Sequence, residues 1–239
     1  MAIRDLEFLP TGCEPLDRIL GGGIRYGEVT LVYGEPRIGK TSLAVQCAFL
    51  CARVCLKTIF IDSDNTFSTY RLEQIAGNEL DKVSPLIFVL KPKNFQEQSL
   101  LIENLESYNL RSTALIIVDT ITNLYRLELG STEKTFTLNM ELNRQLAYLN
   151  ELARSYHTSV LVISQVRSVI QGVIGKGKIE PVANRVLKFW AQKIINLEAT
   201  HESGIKEAKL EKGLSDAKDG TKCFYLLNKH GVVTINREY

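Results

Sequence analysis

No apolar run in this chain of 239 residues approaches the ~20 residues that cross a bilayer as a helix, so no transmembrane helix and no membrane partner are expected. The opening Met-Ala-Ile-Arg-Asp-Leu-Glu lacks the apolar stretch and cleavage site of a secretory signal, and a cytoplasmic location is expected. Charge of one sign is also lacking. With a net charge of +2, no global field advertises a nucleic-acid partner, and any DNA or RNA site must come from local clusters of Lys and Arg. Histidine is scarce and scattered, at 157, 201 and 230, and no CxxC pair occurs, so a zinc site has no ligand set. The cysteines at 13, 47, 51, 55 and 223 are odd in number. Cys47, Cys51 and Cys55 recur every fourth residue and read as small hydrophobes on the inner face of a helix.

What is present is the composition of a folded globular domain, 45% hydrophobic and 23% charged, in a chain long enough for one substantial core. Short β-branched runs stand at Val29–Tyr33, Thr58–Asp62, Leu86–Leu90, Ala114–Asp119 and Ser159–Ile163, each suited to a strand buried on both faces. Helical spacing fills the intervals at Thr41–Val54, Ser99–Leu110 and Thr137–Ser155. That alternation predicts a mostly parallel sheet with right-handed crossovers. After residue 190 the runs shorten to Ile194–Leu197, Ile205–Leu210, Lys222–Leu227 and Val232–Ile235, with polar Gly213–Gly220 as the tip of a long hairpin.

The sharpest motif is Gly34-Glu35-Pro36-Arg37-Ile38-Gly39-Lys40-Thr41-Ser42, a full GxxxxGK[ST] directly after a strand and before a helix. Its backbone N–H groups surround phosphate oxygens, and the helix N-terminus adds partial positive charge. Lys40, a solvent-facing ammonium, is expected to reach the β- and γ-phosphates of ATP, with the Thr41 hydroxyl on Mg²⁺. The apolar strand Ala114–Asp119 ends in a carboxylate, the form of a strand that holds Mg²⁺ beside a phosphate loop. Asp62 and Asp64 end another strand. They are expected either to face the γ-phosphate and orient water or to cap the next turn. Gln165, after strand Ser159–Ile163, places an amide where a γ-phosphate could be sensed.

The segment Leu9-Pro10-Thr11-Gly12, continuing through Leu20-Gly21-Gly22-Gly23-Ile24 to Gly27-Glu28-Val29-Thr30, resembles the opening of RecA/RadA recombinase cores. The spacing of Asp62-Ser63-Asp64-Asn65, Val118-Asp119-Thr120 and Ser164-Gln165-Val166 follows the same pattern, and the likeness spans residues 9–239. It implies one RecA-like P-loop ATPase domain over 1–239, an α/β core with a mostly parallel sheet and a C-terminal antiparallel hairpin. A separate N-terminal DNA-binding domain is not expected, as in the archaeal RadA paralogues of the RadB group. The resemblance further implies that Asp64 stands in the catalytic position, one methylene shorter than the family's glutamate, with Lys40 and Gln165 assisting a weak hydrolysis. Arg71 falls where the family stacks an arginine on adenine. Residues 122–135 and 166–185 fall on the two DNA-facing loops, which brings in Arg126, Arg167, Lys176, Lys178 and Arg185. Gly172, Gly175 and Gly177 suit a segment that orders on a phosphate backbone. Ala183-Asn184 replaces the family's Gly-Gly. Phe189 and Trp190 are expected to pack on the sheet. The implied partners are single-stranded DNA and a recombinase or a second copy, and the implied role is assistance to DNA recombination and repair. The alternative is a KaiC-like nucleotide-gated assembly or signalling ATPase without a DNA function.

Overall fold

In the computed structural model, residues 7–169, 178–213 and 219–235 are described. Strands β1 (Phe8–Leu9) and β2 (Ile24–Arg25) bracket α1 (Glu14–Ile19) in sequence and pair antiparallel. The α/β alternation follows as β3 (Val29–Gly34), α2 (Lys40–Arg53), β4 (Lys57–Asp62), α3 (Thr69–Ala76), α4 (Leu80–Val83), β5 (Ile87–Leu90), α5 (Phe95–Glu103) and β6 (Thr113–Asp119). It continues through α6 (Asn123–Glu128), α7 (Thr132–Tyr156) and β7 (Ser159–Ser164). The remainder is β8 (Val166–Val169), β9 (Lys178–Pro181), α8 (Asn184–Trp190), β10 (Lys193–Ala199), β11 (Ile205–Lys212), β12 (Lys222–Asn228) and β13 (Gly231–Thr234).

The large sheet has the order β13-β12-β11-β10-β3-β7-β6-β4-β5. From β10 to β5 every pairing is parallel, and from β10 to β13 every pairing is antiparallel. Every residue of β3, β6 and β7 is buried, as continuous β-branched runs require of central parallel strands. The period of two divides their side chains between two cores. Val32, Phe60, Leu115, Ile117, Leu161 and Ile163 join the face covered by α2, while Leu31, Ile59, Ile116, Val118, Val160 and Val162 join the face covered by α7. Leu142 and Leu149 of α7 are fully buried, each contributing about 2 kcal/mol of apolar burial.

Several boundaries differ from the periodicity reading, for local reasons. The helix expected from Ser99 begins at Phe95, because Asn94 accepts the Glu97 N–H at 2.8 Å and the Glu97 carboxylate accepts the Lys93 N–H at 2.8 Å. It ends at Glu103, and the Leu105 and Leu110 stretches are short 3-10 turns. Helix α7 starts at Thr132, where the Ser131 hydroxyl accepts the Lys134 N–H at 3.3 Å. The expected first loop is therefore mostly α6 and the opening turn of α7. The expected second loop holds the β8–β9 antiparallel pair and the start of α8. Lys176, Gly172, Gly175 and Gly177 lie outside the described residues, as do 214–218 at the hairpin tip.

Cys47 and Cys51 are buried as expected, but Cys55 is exposed, beyond the end of α2 at φ 62°. Trp190 packs beside the α7 core and donates to the Asn143 side chain at 2.6 Å. Phe189, by contrast, is 72% exposed, because the short α8 turns it away from the sheet. Among the described residues no helix is long and apolar enough to cross a membrane.

Candidate nucleotide site

The phosphate loop begins where β3 meets its neighbour. A Cβ on Gly34 would stand 2.3 Å from the Leu197 carbonyl oxygen of β10, so only glycine lets the two strands approach here. Gly39 has φ 105° and caps α2, whose first turn carries no acidic residue. The free N–H groups and the dipole of that helix end are thus left for an anion. Ile38 is buried and accepts the Tyr225 hydroxyl at 3.1 Å through its carbonyl, which anchors the loop. Glu35, Pro36 and Arg37 are exposed.

Lys40 is not solvent-facing. It is 9% exposed, and its ammonium turns back onto the loop, donating to the carbonyls of Gly34 at 2.8 Å and Glu35 at 2.7 Å. Burial lowers its pKa, while the charges of Asp119, Asp64 and Glu35 act the other way. An ammonium held by two neutral carbonyls exchanges them readily for phosphate oxygens.

Asp119 ends β6 and is fully buried, yet among the described residues no hydrogen bond forms at either carboxylate oxygen. Burial pushes its pKa up to about 7, with Asp64 and Asp62 adding to the rise and the nearby Thr41 hydroxyl and Lys40 ammonium opposing it. An unpaired buried carboxylate is costly, and beside a hydroxyl it forms the hard oxygen set that suits Mg²⁺. Thr41 and Asp119 therefore fit that ion.

The two aspartates at the end of β4 and just beyond it part company. Asp62 is buried, accepts the N–H groups of Thr66 and Phe67 at 2.9 and 3.1 Å, and pairs with Lys91 at 3.3 Å. It caps the turn. Asp64 lies beyond it, its backbone N–H on the Asp119 carbonyl at 3.3 Å and its side chain in the cleft. Burial raises its pKa, against the hydrogen bonds it receives from Gln165 and the nearness of the Thr120 hydroxyl. The Gln165 amide donates to both Asp64 oxygens at 3.1 and 3.3 Å.

Lys40, Thr41, Asp64, Asp119 and Gln165 line a cleft of about 400 Å³ with Gly34, Gly39, Ser42 and Arg126. Thr66, Thr120, Val166 and Leu227 also belong to its lining, and the sequence reading assigns a site role to none of them. Leu227 reaches the loop from β12: its methyl groups stand 3.1 Å from where a Cβ on Gly39 would be. Arg71 adjoins the loop rather than lining the cleft. Its guanidinium donates to the Ser42 hydroxyl at 3.1 Å and to the carbonyls of Asn228 and Lys229, both at 2.9 Å. Arg167 on β8 and Arg185 on α8 are exposed, and Lys178 sits in β9 opposite Val169. Arg185 borders a separate groove with Phe136, Met140 and Phe189.

The Rad51 family model matches residues 4–233. A protein of Methanococcoides burtonii named DNA repair and recombination protein RadB is 34% identical over 226 residues, covering 95% of this chain and 97% of its own. A protein of the same name from Methanosphaera stadtmanae is 32% identical, with 95% and 96% covered. A solved structure described as that of the RadB recombinase superposes with a TM-score of 0.82 at 31% identity, over 96% of this chain and all of that one. With a RecA-like sheet, a complete phosphate loop and a family match over nearly its whole length, the chain belongs to the Rad51 family.

Proposed function

We propose that this chain is an ATP-binding, slowly hydrolysing, DNA-binding protein that assists homologous recombination and repair as an accessory to a recombinase. The observation that carries the nucleotide part is the buried Asp119 carboxylate, unpaired beside Thr41 beneath a complete phosphate loop. The loop N–H groups and Lys40 hold the phosphates. Thr41 and Asp119 would hold Mg²⁺, which supplies neutralisation of phosphate charge. Asp64 orients water at the phosphate end and accepts its proton, with the Gln165 amide fixing the carboxylate. Asp64 is one methylene shorter than glutamate and already engaged by Gln165, and both features favour slow turnover.

The DNA part rests on placement. Helix α6 and the β8–β9 pair both reach the cleft, through Arg126 and Val166, and carry Arg126, Arg167 and Lys178. The names of the relatives support the same reading. Fluorescence anisotropy with a single-stranded oligonucleotide, titrated with salt, tests it. Removing Lys176 and Lys178 together flattens the slope of log affinity against log salt by about 1.4, at roughly 0.7 for each phosphate no longer neutralised, without changing base preference. Unchanged affinity and slope would refute the DNA part and leave a nucleotide-gated assembly module.

A further inference from the structure

The Gln165 side chain has a charged group at each end. Its N–H₂ faces the Asp64 carboxylate, at 3.1 and 3.3 Å, and more distantly the Asn123 side-chain carbonyl at 3.5 Å. Its carbonyl oxygen accepts from the Arg126 guanidinium. A guanidinium only donates and an ionised carboxylate only accepts, so the amide has one orientation that satisfies both. Reversed, it would oppose oxygen to oxygen at Asp64 and N–H to N–H at Arg126.

Arg126 does not arrive there by chance of a free side chain. It extends from α6, whose preceding residue Tyr125 is buried, stacks edge-on with Phe95, and donates its hydroxyl to Asn139 at 3.1 Å. Gln165 is fixed from the other side. Its backbone carbonyl accepts the Val182 N–H at 3.0 Å and its N–H donates to the Thr122 hydroxyl at 3.3 Å. Both Arg126 and Gln165 line the cleft that holds Lys40 and Asp119.

We propose that Arg126 is a positioning residue of the nucleotide site: by holding the Gln165 carbonyl oxygen it presents the amide N–H₂ to the phosphate end of the cleft, and through that amide it ties helix α6 to the presence of a γ-phosphate. The inference rests on the nucleotide-binding reading above and deepens it. A γ-phosphate is an acceptor, so it takes one of the two amide N–H bonds while Asp64 keeps the other and the Arg126 hydrogen bond keeps the amide from turning over. Loss of Arg126 frees the amide to rotate, and the cost falls on triphosphate alone, because a diphosphate does not reach this end.

The test measures affinity for Mg²⁺·ADP and Mg²⁺·adenylyl-imidodiphosphate by calorimetry in the wild type, Arg126→Ala, Arg126→Lys, Gln165→Ala and the Arg126→Ala/Gln165→Ala double variant. Arg126→Ala lowers the preference for triphosphate over diphosphate by roughly 10-fold or more, the size of one well-placed charge-assisted hydrogen bond. ADP affinity stays unchanged. Arg126→Lys, which still donates, retains most of the preference. The double variant loses no more than either single one, since both changes remove the same interaction. Additive losses would show that Arg126 meets the phosphate directly and would overturn the proposal. So would an Arg126→Ala protein with wild-type preference, a loss shared equally by ADP, or a wild type that binds both nucleotides alike. A wild type that binds neither would sink the nucleotide reading itself, an outcome distinct from failure of the Arg126 role.

Discussion

The Asp119 carboxylate offers the most direct quantitative check on the site. A rise from an ordinary 3.8 to about 7 corresponds to roughly 4 kcal/mol of penalty for the ionised form in the folded protein without metal. Because the native pKa lies above the unfolded one, the native state holds an extra proton between these values. This group therefore favours folding below about pH 4 and loses that advantage as pH rises through 7. Asparagine in the same place cannot titrate. In urea denaturation with EDTA and no nucleotide, Asp119→Asn should gain on the wild type by up to about 4 kcal/mol between pH 4 and pH 8. Comparing the two proteins at each pH cancels the other titrating groups. With Mg²⁺ and ATP added, the order reverses at pH 8, because binding stabilises the wild type while the variant has lost a metal-holding group. A stability difference that stays flat from pH 4 to pH 8 would refute the reasoning, since it would mean that burial does not perturb this carboxyl.

Lys40→Ala should lower ATP affinity by roughly 100-fold or more, as two charge-assisted bonds at ~1.5 kcal/mol each imply, with circular dichroism unchanged; wild-type affinity in a folded variant would remove Lys40 from the site. Asp64→Asn should slow single-turnover hydrolysis by about 100-fold while ATP affinity moves little, the size expected for loss of one general base. An unchanged rate would move the base elsewhere, first to Glu35. Gln46→Ala should destabilise the protein by roughly 2–4 kcal/mol on chemical unfolding, because it strips hydrogen bonds from Thr11 and from both backbone groups of Val232 inside the core. A change below about 0.5 kcal/mol, the ordinary scatter of surface substitutions, would mean those groups find other partners.

The phosphate loop and the buried carboxylate beside it are legible from sequence because each is local: a run of consecutive residues in one case, one strand with a terminal carboxylate in the other. Central strands are legible for a related reason, since burial on both faces writes an unbroken apolar run. Roles decided by a turn are harder to read. Asp62 and Asp64 differ by two positions, and only the turn at Asn65, with φ 58°, sends one into a cap and the other into the cleft. The early start of α5 is written in Asn94-Phe95-Gln96-Glu97, a capping signal outweighed by the apolar spacing that follows it. Arg126 can be placed near DNA by resemblance, but its grip on Gln165 joins residues 39 apart and has no local signature. Phe189 shows the limit of adjacency: it stands four residues before β10, yet the turn of a short helix decides which way its ring faces.

The supports of the phosphate loop come from the far end of the chain. Tyr225 reaches the Ile38 carbonyl across 187 positions, Leu227 lies against Gly39, and Val232 closes on Gln46 from 186 positions away. A ribosome releases the motif itself long before it releases these props. During synthesis the nascent chain therefore carries every residue of the loop without the scaffold that shapes it. The site is finished only once β12 and β13 have emerged, so a chain stalled or cleaved before them lacks it.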